Sequence, residues 1–156
     1  MRVPEDLNRH FAELYGLWSA RSEEGRLPAR RSLGLPDLPL ILRGSTNLLA
    51  VEVQPDGSLD FRFRLFGSLQ RMATLAPPTG RLIGEVIPEA GYLDMMRRHY
   101  QEVVESRAPR LDQISNSIGE EGQQEAYAYD RLILPLSSDG ETVTDLMTCA
   151  AKANRT

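Results

Sequence analysis

The sequence predicts an α+β fold: a five-stranded antiparallel sheet with helices over one face and an amphipathic helix ahead of it. Three observations predict it. Turn signatures at Pro55-Asp56-Gly57, Glu121-Gly122 and Asp139-Gly140 separate runs of β-formers. Asp-Gly in such a setting signals a hairpin, because Gly takes positive φ at no steric cost and Asp bonds its own backbone. The stretch between residues 65 and 110 reads as mainly helical, and a crossover that long has to cover a face of the sheet. Strands joined by short turns on either side of it pair antiparallel.

Residues 5–22 read as the leading helix. Leu7, Phe11, Leu14 and Trp18 recur at helical spacing, with Arg9, Glu13 and Ala20 opposite. Burying such side chains is worth about 1.5–3 kcal/mol each, so the stripe has to dock, on the sheet or on a second copy. Gly25 and Pro28 end the helix. Residues 26–47, with Pro28, Pro36, Pro39 and Gly44, read as an irregular connector with one short helical turn at 37–42.

The first hairpin joins Leu48–Val53 to Leu59–Leu65. In its second strand Leu59, Phe61, Phe63 and Leu65 alternate with Asp60, Arg62 and Arg64, which leaves one face apolar. The first strand is apolar nearly throughout, as expected when both faces are covered. Residues 66–90 suggest short helical pieces such as 68–75, broken by Pro77-Pro78, Gly80, Gly84 and Pro88. Helix 92–106 follows, with Tyr92, Leu93, Met96, Tyr100, Val103 and Val104 on its apolar arc. Strands at about 110–118, 124–135 and 142–151 complete the sheet, and their weak alternation does not reveal which side chains turn inward. The organisation is one structural unit, with residues 1–47 as helix and connector and 48–151 as the sheet domain.

At 156 residues a single domain buries roughly 70% of its unfolded surface and needs no staple. The lone Cys149 cannot form an internal disulfide. No apolar run approaches the ~20 residues that cross a bilayer, and the N-terminus lacks a signal-peptide pattern, so a cytoplasmic protein without a membrane partner is expected. A net charge of −4 argues against a nucleic-acid partner. The basic residues are 17 Arg and one Lys, Lys152, and their even scatter reads as coding bias rather than a phosphate-binding set.

Several segments together resemble the short, stand-alone bacterial PAS-domain proteins. They are Tyr15-x-x-Trp18, Leu27-Pro28-Ala29-Arg30-Arg31, Leu38-Pro39-Leu40-Ile41-Leu42, Phe61-Arg62-Phe63-Arg64-Leu65-Phe66-Gly67, Thr79-Gly80-Arg81 and Leu132-Ile133-Leu134-Pro135-Leu136-Ser137-Ser138-Asp139-Gly140. Each is weak alone, and their order and spacing carry the likeness across most of the chain. The resemblance implies a PAS-like sheet cupped by helices and a small-molecule cavity between the two. It also implies a non-enzymatic sensor or adaptor that signals to another protein through dimer contacts and its leading helix. The chain departs from the family pattern before Thr79, where Thr74-Leu75-Ala76-Pro77-Pro78 makes a stiffer, more apolar rim.

The cavity candidates are Phe61, Phe63, Met72, Met96, His99, Tyr100 and Tyr127, with Met95 a further methionine nearby; core packing is the first reading of such residues. His99 sits one helical step off the apolar arc, on the helix from which haem-binding PAS domains supply their ligand. A lone histidine there reads first as a packing residue, and no cofactor or metal is expected. Cys149 lies outside any flavin-reactive motif and reads as core. The competing reading is a small cystatin-like enzyme with His99 and Asp130, joined by Tyr129, in its cavity, but that fold would not place the long helix between strands two and three. A third is a dimerisation module with a filled core. A homodimer is expected through Leu7, Phe11, Leu14, Tyr15, Leu17 and Trp18.

Overall fold

The alternation of Leu59–Leu65 and the Asp56-Gly57 turn generate the first hairpin. β1 (Thr46–Val53) and β2 (Leu59–Leu65) pair antiparallel. Gly57 takes a φ of 88°, and Asp56 accepts from the Ser58 amide and hydroxyl. The computed structural model describes residues 9–67, 77–118 and 125–152, with only the backbone described for 115–118, 125–127 and 152. Leu7, Met72, the helical piece at 68–75 and the Glu121-Gly122 turn lie outside the described residues, as does the Tyr127 side chain.

The described elements make an α+β fold with four helices and one five-stranded antiparallel sheet, in the order β2-β1-β5-β4-β3. α1 (Arg9–Ala20) leads, and α2 (Leu40–Arg43) closes the connector, where single 3₁₀ turns also form at Arg30–Ser32 and Leu35–Asp37. α3 (Ile83–Val86) and α4 (Ala90–Ser106) lie between β2 and β3 (Arg110–Ile118). β4 (Glu125–Leu136) and β5 (Asp145–Lys152) complete the sheet, with β5 inserted between β1 and β4. Among the described residues no helix is long and apolar enough to cross a membrane.

α4 starts two residues earlier than its apolar arc, because Glu89 caps it by accepting from the Gly91 and Tyr92 amides. It ends where Arg107 turns left-handed, at φ 56°, two residues before Pro109. Its arc is inward as expected: Met96, Tyr100 and Val103 are buried.

β4 decides the layering. Leu132, Ile133 and Leu134 are each 0% exposed, and consecutive strand residues point to opposite faces, so both faces of this strand are covered. α4 packs on the face that carries Arg131. α1 also touches β4, and the Trp18 indole donates to the Pro135 carbonyl at 2.8 Å. With one face taken by α4, α1 covers the face of Leu132, Leu134 and Leu136. Weak alternation in the sequence is the consequence of this double burial.

The α1 stripe is covered by the chain itself. Phe11 and Leu14 are 0% exposed and Trp18 is buried, all within the same hydrophobic cluster as the strands. Tyr15 and Leu17 are half-buried against that cluster. Of the six side chains expected at a two-fold interface, three are therefore core, and among the described ones Tyr15 and Leu17 are the two that are not buried.

Beyond β2, residues 80–82 add a rim: Gly80 donates to the Phe63 carbonyl, Phe63 donates to Arg81, and Leu82 bridges Arg62. The segment after α1 clamps the β4–β5 turn, since Leu27 donates to Gly140 and Ser137 donates to Pro28.

Candidate functional site

The site candidates converge on the α4 side of the sheet, around a residue that the sequence did not single out. Arg131 of β4 stands directly opposite Asp112 of β3 in the strand register. Both are buried, at 3% and 8% exposure, and buried charges are kept only where they are paired. Arg131 Nη2 donates to Asp112 Oδ2 at 2.8 Å. The same nitrogen meets His99 Nδ1, while Nη1 meets Met96 Sδ at 2.6 Å. The guanidinium also lies over the Tyr100 ring, 5.6 Å from its centroid.

Helical spacing explains why three residues of α4 reach one guanidinium. Met96, His99 and Tyr100 are three and four residues apart, so they line one face over a single turn. Asp112 is held from its own strand as well: Arg110 Nε donates to Oδ1 at 2.7 Å, and Arg110 also pairs with Glu102 of α4. The chain of charges Glu102, Arg110, Asp112, Arg131 therefore stitches α4 to β3 and β4, and His99 sits beside it, 3.5 Å from Asp112 Oδ2.

Burial holds the His99 pKa below the ordinary imidazole value, against the pull of Asp112 and with the help of Arg131. A neutral ring whose Nδ1 accepts from Arg131 is the form that fits this geometry. Burial likewise pushes the Tyr100 phenol above its usual range. Among the described residues the Tyr100 hydroxyl and Arg131 Nε are buried without a hydrogen-bond partner. Close by, the Tyr92 and Tyr129 hydroxyls bond each other from α4 to β4.

Of the expected cavity residues, Met96, His99 and Tyr100 meet at Arg131, and Phe61 joins them through an edge contact with the Tyr100 ring at 5.2 Å. Phe63 is buried next along β2 and packs edge-on against Phe66. Asp130 does not join His99. Alternation along β4 turns it to the face opposite Arg131, and the carboxylate beside His99 is Asp112. The clue in the sequence was a charged residue opening the otherwise apolar run Arg131-Leu132-Ile133-Leu134.

The arrangement is an electrostatic latch, in which Asp112 is engaged by two guanidinium groups and His99 Nδ1 by one. On the other face of the sheet, Cys149 lies 3.1 Å from the Thr46 hydroxyl, and burial pushes its thiol up to about 12. That thiol is inert at neutral pH. Among the described residues no group of three or more His, Cys, Asp or Glu side chains is placed to hold a metal ion. No protein-family model matches the chain, and no curated protein is significantly similar to it.

Proposed function

We propose that the chain is a PAS-type sensor or adaptor that works by binding rather than catalysis, in the cytoplasm. The observation that carries this reading is the sheet order β2-β1-β5-β4-β3, with α4 crossing from β2 to β3 over one face. The resemblance implies a five-stranded antiparallel sheet cupped by helices, which this arrangement supports, and the cystatin-like alternative would not put the long helix between strands two and three. The latch at Arg131 marks where an input acts, between α4 and the sheet.

β4 then links input to output, because α4 packs on one of its faces and α1 on the other. A change in the Arg131, Asp112 and His99 contacts shifts α4 against β4, and α1 responds across the strand. Tyr15 and Leu17, half-buried on α1, are the surface through which a homodimer or a signalling partner reads that change.

Hydrogen exchange tests the coupling. With Arg131→Met, exchange of the α1 amides is expected to change although the contacts of that side chain are with α4 and β3. Altered exchange in α4 with unchanged α1 would refute the proposed link. Native mass spectrometry with an absorbance scan tests the binding mode: we expect no haem or flavin, and a Soret band that disappears in His99→Ala would replace this reading with a haem sensor.

A further inference from the structure

The arginines look scattered along the sequence, but folding gathers three of them at one cleft. Between the segment that follows α1 and the β4–β5 turn lies a cleft of about 460 Å3, lined by Arg21, Arg26 and Arg31 on one side and Ser137, Ser138 and Gly140 on the other. Its size lies within the range of small-molecule sites.

The three guanidinium groups are set in place to different degrees. Arg21 is tied to the Ser32 carbonyl and, at 3.3 Å, to Asp37. Arg26 is held by the Asp139 carbonyl, and its charge helps to hold the Asp139 carboxyl below the usual carboxylate range, behind the amides of its own turn. Arg26 lies flat on Gly140, where a β-carbon would stand 2.6 Å from Nη2. Gly140 is needed there twice over, for that approach and for its φ of 85°. Arg31 is exposed, and among the described residues no hydrogen bond or ion pair engages it.

Asp37 offsets the charge of Arg21, and the remaining acids leave Arg31 without an ion-pair partner among the described residues. Asp139 turns its carboxylate into its own turn, where the Glu141 and Thr142 amides donate at 2.8 Å and the Ser137 hydroxyl donates as well. Glu23 is the one other carboxylate lining the cleft among the described residues. The Ser138 hydroxyl has no described partner and remains a donor.

We propose that this cleft binds a small molecule through a phosphate monoester group. Guanidinium forks match the paired oxygens of carboxylates and phosphates. The forks of Arg26 and Arg31, with the Ser138 hydroxyl, offer more donors than the two oxygens of a carboxylate use, and the three terminal oxygens of a phosphate monoester use them. The volume leaves room for an organic body on the phosphate. The site lies away from the latch at Arg131, so it stands independently of the sensor reading.

The test is an NMR titration of the full chain with phenyl phosphate and, as the carboxylate of matched body, benzoate, both at constant ionic strength. Saturable shifts of the Ser138 and Gly140 amides with phenyl phosphate are expected, with clearly weaker binding of benzoate. Arg31→Gln removes one charge-assisted contact and is expected to weaken binding about tenfold. Arg31 is exposed, so this variant keeps its fold; Arg98→Gln, on the exposed side of α4, should bind as the unaltered protein does. Shifts that fail to saturate, equal affinity for benzoate, or an equal loss in Arg98→Gln would overturn the proposal.

Discussion

The two faces of β4 are built from alternate residues of one strand and obey different physics. On the α1 face Leu132, Leu134 and Leu136 are fully buried among apolar side chains, where stabilisation scales with area and has no direction. On the α4 face Arg131 holds Asp112, His99 and Met96 at once, and stabilisation there depends on each contact being made. The first face tolerates small rearrangements and ignores pH. The second fails stepwise and responds to protonation, which is why we place the input of the proposed sensor on it.

Removing Asp112 should break the asymmetry most severely. Asp112→Ala leaves the Arg131 guanidinium buried without a counter-charge and is expected to cost about 3–5 kcal/mol in urea unfolding. Adding Arg131→Met to that variant should restore most of the loss, since an apolar replacement of a buried ion pair is often neutral or better. A double variant no more stable than Asp112→Ala would mean that Arg131 contributes packing rather than a charge in need of a partner.

On the apolar face Leu134→Ala is expected to cost about 2–5 kcal/mol, with a loss that stays constant between pH 5 and 8. A pH-dependent loss would show that the two faces are not separable. Trp18→Phe is a smaller probe of the α1 contact: the buried Pro135 carbonyl loses its donor at a cost of about 1–3 kcal/mol. A neutral result would place α1 outside the cooperative unit.

The pH dependence sharpens the contrast further. Burial lowers the His99 pKa in the folded state, so the unfolded chain, with an imidazole near 6.5, binds its proton more readily. The contribution of His99 to stability is complete above pH 6.5 and is lost as pH falls below it towards the folded pKa. Urea midpoints from pH 7.5 to 5.5 should fall in the unaltered protein and fall less in His99→Asn; identical slopes would remove His99 from the latch. The smallest expected effect is at Cys149, whose thiol should resist alkylation at pH 8 until the chain unfolds, because burial holds it protonated.

Local pattern determined much of this molecule. The Asp56-Gly57 hairpin, the alternation of β2, the arc of Met96, Tyr100 and Val103 on α4, and the apolar stripe of α1 are short-range signals of period two or 3.6, and each element formed close to where that signal lies. The order of elements followed from the same reading. Three things did not. The intramolecular cover of Phe11, Leu14 and Trp18 depended on which surface α1 meets, and amphipathicity gives a face without its partner. The pairing of Arg131 with Asp112 rather than His99 with Asp130 depended on the β3–β4 register, because a shift of one residue turns every side chain of a strand to the other face. The meeting of Arg21, Arg26 and Arg31 with the β4–β5 turn depended on how the connector returns along the sheet, a contact between segments more than a hundred residues apart. Elements arise from interactions within a few residues and can be read from the chain, whereas charge partners arise from packing across it and exist only once the layers have closed.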